Sequence, residues 1–197
     1  MPVFAPNPVL EGMALGGTSL CLAWAAYHDS RSMTIPKIIP FSILGLALPF
    51  HVLRGASLAS SGQSVWLLGA GSPLMGGLDG ILLAFAGLFT GLGLFLPLWL
   101  LKASGGGDVK LFAAVAAVLG PTLSIMLLLA TLAVVLAWSL AAWLAKAKGS
   151  SFLSSPMGFA PPFLVAFLLL ACWVHARDQR LAAASVSVAM TGVTHAR

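Results

Sequence analysis

The longest apolar run in the chain extends from Val109 to Leu144, with Lys110 as its only charge. As one helix at 1.5 Å per residue it would reach about 54 Å, against a bilayer hydrocarbon core of about 30 Å. No single span is that long. Gly120-Pro121 lies inside the run, and a Gly-Pro pair breaks a helix. The run therefore predicts a short span, Val109 to Leu119, followed by a full one, Thr122 to Leu144. The short span would cover only about half the core. It must start inside the membrane, tilt, or be shielded by its neighbours.

The rest of the chain follows the same pattern. Only 8% of the 197 residues are Asp, Glu, Lys or Arg, where a soluble domain carries about 25%. The expectation is an all-α, polytopic membrane helix bundle of about six transmembrane helices, forming one domain over residues 1–197 with the lipid bilayer as solvent. The predicted spans are 9–27, 37–53, 80–101, 109–119, 122–144 and 157–174, with 175–197 as a peripheral tail. The N-terminus lacks the basic stretch of a cleavable signal peptide, so the first span is expected to stay. The Gly- and Ser-rich connection 54–78 holds Trp66 in a VWLLGAG segment suited to the membrane interface. Gly87, Gly91 and Gly93 are expected to let the third span pack closely.

Composition also limits function. The net charge of +5 comes from Lys and Arg in short loops, with no basic patch interleaved with exposed aromatics, so no nucleic-acid partner is indicated. Cys21 and Cys172 lie far apart in apolar runs, there is no CxxC, and both read as small buried hydrophobes. His28, His51, His175 and His195 are scattered. Neither a metal site nor a cofactor is expected.

Five acids remain: Glu11, Asp29, Asp79, Asp108 and Asp178. Glu11 and Asp79 fall at outer span ends, where water reaches them. Asp178 lies between Arg177 and Arg180 in an ordinary charged cluster. Asp29 follows the first span and Asp108 precedes the fourth, so two crossings bring both to one face. Arg31, Lys37, Lys102, Lys110, Lys146 and Lys148 share that face; Arg54, Arg177, Arg180 and Arg197 lie opposite. The positive-inside rule then puts the two acids at the cytoplasmic side, with both termini outside.

Two carboxylates brought together share a proton, so one can deprotonate a water while the other donates to a carbonyl oxygen. Gly105 to Gly107 would let the backbone approach a substrate strand. Asp108 alone also fits an ordinary helix cap, and a proton relay through a small transporter or channel is a second use for paired acids. Relays usually distribute acids through the bilayer depth, which this chain does not. By helix dipoles, Asp108 at a helix start is the expected base and Asp29 at a helix end the expected protonated partner.

The stretch SGGGDVKLFAAVAAVLG resembles the GxGD signature of the type IV prepilin peptidases, with Gly105, Gly107, Asp108, Lys110 and Leu111 matching. AAYHDSRSMTIP is similar to the same family's first aspartate motif through Asp29, Arg31, Ile35 and Pro36. MGFAPPFLVA, from Met157, resembles its last segment more loosely. The resemblance implies a membrane aspartic endopeptidase with Asp29 and Asp108 as the catalytic pair, and Gly105, Gly107, Lys110 and Arg31 in support. It implies a bacterial inner-membrane location. The substrate partner would be a prepilin with a basic leader and a glycine at the cut. Lys37 stands where the family usually has Asn. The paired CxxC insertion of the larger, bifunctional members is missing, so their N-methyltransferase activity is not expected. The compact build resembles the peptidases of tight-adherence (Flp) pilus systems. A non-catalytic pilus-assembly subunit with the same fold is the remaining alternative.

Overall fold

A computed structural model describes residues 8–68, 71–102, 104–147 and 158–194. Met157, Lys148, Arg197 and His195 therefore lie outside the described residues. The chain is an all-α helix bundle: α1 Pro8–Ser32, α2 Ile38–Ser60, α3 Pro73–Leu100, α4 Gly106–Leu119, α5 Pro121–Ala147 and α6 Ala160–Thr194. No strand occurs among the described residues. Five of the helices, all but α4, are long and apolar enough to cross a membrane.

The helix α4 has 14 residues, about 21 Å of rise, and is the exception in a second respect. Val109 and every residue from Leu111 to Val118 are buried. It sits at the centre, packed against α2, α3 and α5, so protein rather than lipid shields a helix too short to span. Its small residues make this possible. Gly87 of α3 faces the Ala116 carbonyl, and a Cβ on Gly91 would sit 2.8 Å from the Ala113 Cα. Gly93, in contrast, meets nothing within 4 Å. The expected close packing thus rests on Gly87 and Gly91 alone.

The end of α4 is closed by side chains from two other helices. The His51 ring Nε2 lies 2.9 Å from the Ala117 carbonyl and 3.0 Å from that of Val118. Carbonyls only accept, so Nε2 carries the proton. Ser124 Oγ donates to the Gly120 carbonyl at 2.6 Å, and the Gly120 N–H donates to Ala116 O at 2.9 Å. These bonds occupy carbonyls that a helix ending within a membrane otherwise leaves bare.

Several helix limits differ from the spans read from the sequence. The first helix runs on to Ser32, so Asp29 lies in its last turn rather than in a loop. The third starts at Pro73, where Ser72 accepts the Met75 N–H at 3.3 Å. Asp79 is consequently inside α3, and it is not reached by water: it is 0% exposed. Its carboxylate accepts the N–H groups of Trp66, at 2.6 Å, and Leu67, at 2.9 Å. The acid that looked solvated is the clamp of the α2–α3 loop. The last helix continues past His175 to Thr194, about 52 Å in all. Cys21 is half-buried and Cys172 exposed; the lipid-facing side of α6 accommodates a small hydrophobe as readily as a core does.

Glu11 and the middle of α6 meet at the end of the bundle away from Asp29. His175 Nδ1 lies 3.7 Å from Glu11 Oε1, and the Arg177 guanidinium lies 3.5 Å from Asp178 Oδ1. The first contact joins α1 to α6, so Glu11 is held by a neighbouring helix rather than only by water.

Candidate active site

The site begins where α1 stops. The Met33 N–H closes the last turn on the Asp29 carbonyl at 3.0 Å, and Met33 takes a φ of 51°, the left-handed conformation that ends many helices. The chain reverses there, and Met33, Thr34 and Ile35 form one wall of a cavity of about 440 Å³. Gly105 to Asp108 form the second wall, and Gly158 with Phe159 the third.

Asp108 sits in the first turn of α4. Its Oδ2 accepts the Gly105 N–H at 2.9 Å, which closes a capping arrangement at the helix start. The cap and the cavity are compatible, because this bond occupies only one carboxylate oxygen. Burial pushes the Asp108 carboxyl above its ordinary range; the Gly105 N–H pulls it down, and the Asp29 charge pushes it up again. The two acids thus sense each other electrostatically across a shared cavity.

Asp29 is 4% exposed, and its Oδ2 accepts the Ala160 N–H at 2.8 Å. Ala160 is the first residue of α6. Local sequence places Asp29 only at the C-terminal end of α1; the fold adds the N-terminal end of a second helix.

The candidate residues divide accordingly. Asp29, Asp108, Gly105 and Gly107 line the cavity. Gly107 packs on Ile35, whose Cβ would lie 3.4 Å from a side chain there. Arg31 and Lys110 do not line it. The Arg31 guanidinium lies 4.7 Å over the Tyr27 ring, a cation–π contact along its own helix, and Lys110 is exposed on α4. Neither pairs with an aspartate at salt-bridge distance among the described residues. Gly158, Phe159 and Ala160 were not among the residues picked from the sequence, although MGFAPPFLVA had marked the segment. Among the described residues, no three His, Cys, Asp or Glu side chains gather closely enough to hold a metal ion.

A helical bundle of membrane-spanning lengths, with two acids lining one cavity near one end, is the frame of a polytopic membrane protein. The particular family is given by residues 17–140, which match the model of the type IV leader peptidase family. The match covers more than half of the chain, and the chain belongs to that family, whose members are membrane-embedded prepilin peptidases. The matched segment includes both Asp29 and Asp108 and ends before Gly158. No curated protein and no solved structure matches the chain.

Proposed function

We propose that this peptidase is an aspartic endopeptidase that removes the basic leader of Flp-type prepilins at the cytoplasmic face of the bacterial inner membrane, without N-methyltransferase activity. The observation that carries the reading is that Asp29 and Asp108, from helices separated by two membrane crossings, open onto one cavity beside a run of three glycines. Its surroundings suit the chemistry. Asp108, half-buried and with its carboxyl pushed up by that burial, is the acid of the pair. Asp29, whose Oδ2 accepts the Ala160 N–H at the start of α6, is the base of the pair, because a helix N-terminus favours negative charge. This reverses the roles expected from the two helices considered alone.

Hydrolysis then needs no other group. Asp29 takes a proton from water, the water oxygen bonds to the scissile carbonyl carbon, and Asp108 gives its proton to the carbonyl oxygen. The tetrahedral diol collapses as Asp29 protonates the leaving amine and Asp108 recovers a proton from a diol hydroxyl. Glycines 105 to 107 leave space for an extended substrate backbone beside the acids. Arg31, Lys37, Lys102 and Lys110 lie at the same end of the bundle, which supports the cytoplasmic assignment. Against a transporter, Asp79 already accepts two backbone N–H groups and is no link in a relay.

Co-expression with candidate prepilins tests the reading, scoring leader removal by wild type, Asp29→Asn and Asp108→Asn. Wild type should process and both variants should not, with all three inserted equally. Full processing by either variant refutes the pair mechanism.

A further inference from the structure

We infer that the entry into α6, Gly158 to Ala160, is a third component of the catalytic site, whose backbone positions Asp29 for the reaction. The inference rests on the peptidase reading above and adds a segment outside the family match.

Three observations carry it. The Ala160 N–H holds Asp29 Oδ2 at 2.8 Å, which leaves Oδ1 as the oxygen available to a water in the cavity. Gly158 packs against the same carboxylate, nearest the same oxygen: a Cβ on Gly158 would overlap the Asp29 carboxyl group. Glycine is therefore required here by space, not by backbone conformation. The segment is also braced against the helix that carries the other acid. Phe159 stacks on Phe163 at 5.2 Å and meets Phe95 edge-on at 5.4 Å. Phe112, one turn after Asp108, stacks on Phe95 at 4.3 Å and tilts against Phe163 at 5.6 Å. One aromatic cluster thus spans α3, α4 and α6, and it sets the position of the α6 start relative to α4, hence of Asp29 relative to Asp108.

The charged surroundings are simple. Asp108 on α4 shares the cavity. Arg31, on α1 itself, is stacked on Tyr27, and His28 packs beside Trp24 and Tyr27. The first turns of α6 hold no charged residue. Backbone contact is then what fixes the Asp29 carboxyl. Gly158 and Ala160 are positioning residues, acting through Asp29 rather than on substrate.

The test has two arms on the full-length protein. In the first, Gly158→Ala is compared with wild type on a prepilin that the wild type cleaves. A displaced base lowers kcat by about 100-fold, as misplacements of an ångström do, while KM stays within about threefold, because Gly158→Ala adds one methyl to a single wall and leaves the glycine run and Met33–Ile35 intact. A kcat within threefold of wild type overturns the inference, as does a rise in KM that accounts for the whole loss. The second arm needs neither activity nor substrate. Asp29→Cys and Gly158→Cys are combined in a Cys21→Ala, Cys172→Ala background and oxidised mildly in membranes, with Asp29→Cys/Leu169→Cys as the distant control. A disulfide in the first pair and none in the control is expected; no disulfide in the first pair overturns the inference. If Gly158→Ala does not fold, the cross-link alone decides. A wild type that cleaves no prepilin sinks the peptidase reading instead, and the cross-link still decides whether α6 holds residue 29.

Discussion

His51 offers the sharpest test of how this bundle keeps α4 in place. Replacing it with Leu preserves most of the buried volume and removes one donor, the Nε2–H shared between the Ala117 and Val118 carbonyls. A buried backbone group left unpaired costs about 1–3 kcal/mol. Interhelical hydrogen bonds measured in membrane bundles lie lower, near 0.6 on average and up to about 1.7 kcal/mol. The His51 ring also meets Phe50 edge-on at 5.1 Å, a contact of about 0.5 kcal/mol or more. Together these give about 2 kcal/mol. For a chain of this size that lowers the midpoint of thermal unfolding by about 4–8 °C, measured on detergent-purified protein. His51→Gln, which can still donate, should recover part of the loss. Ser124→Ala should cost less: it removes a hydroxyl donor at 2.6 Å from the Gly120 carbonyl, which still accepts the Ser124 backbone N–H at 3.2 Å. A His51→Leu protein as stable as wild type would falsify the view that α4 depends on a cap from α2, because nothing else among the described side chains reaches those two carbonyls.

Two further outcomes follow from Asp79 and Asp108. Asp79→Ala should destabilise the fold by about 3–5 kcal/mol, since two N–H groups lose a charged acceptor. It should speed proteolytic nicking between residues 61 and 72, yet leave prepilin cleavage per folded molecule unchanged; normal resistance to protease would show that the loop is held by something else. The raised Asp108 carboxyl predicts a pH trend of definite sign. A folded-state value above the ordinary 3.8 means that the native state binds the proton more tightly than the unfolded chain. Its contribution is complete below that ordinary value and is lost as pH rises through the folded one. Wild type minus Asp108→Asn in unfolding midpoint should therefore shrink as pH rises above about 4. A difference that grows with pH would mean the carboxylate, not the acid, is the better-accommodated form.

Much of the architecture could be read from residues alone, because it depends on local quantities. An uncharged stretch longer than any bilayer, broken at Gly120-Pro121, already separates a short helix from a long one. The Asp29 and Asp108 motifs also lie in contiguous segments with recognisable spacing. Helix limits were less legible. Asp29 looked like a loop residue because polar side chains cluster after Tyr27, yet α1 continues to Ser32 and carries the acid in its final turn. Arg31 and Lys110 were chosen for charge and proximity in sequence, but a helical residue two positions from an aspartate points elsewhere, and neither reaches the cavity.

From the amino-acid sequence came the class of object: helices of membrane length, one too short to cross, and two acids at one boundary. Those properties follow from how many apolar residues stand in a row and where charges interrupt them. The tertiary structure alone decided that Asp79 is a clamp, that His51 closes α4, and that Ala160 and Gly158 hold Asp29. Each of those is a contact between a side chain and backbone on another stretch of chain, a hydrogen bond in every case but that of Gly158. Backbone groups are identical at every residue, so no sequence pattern announces which one a distant carboxylate or imidazole will meet; only packing brings them within 3 Å.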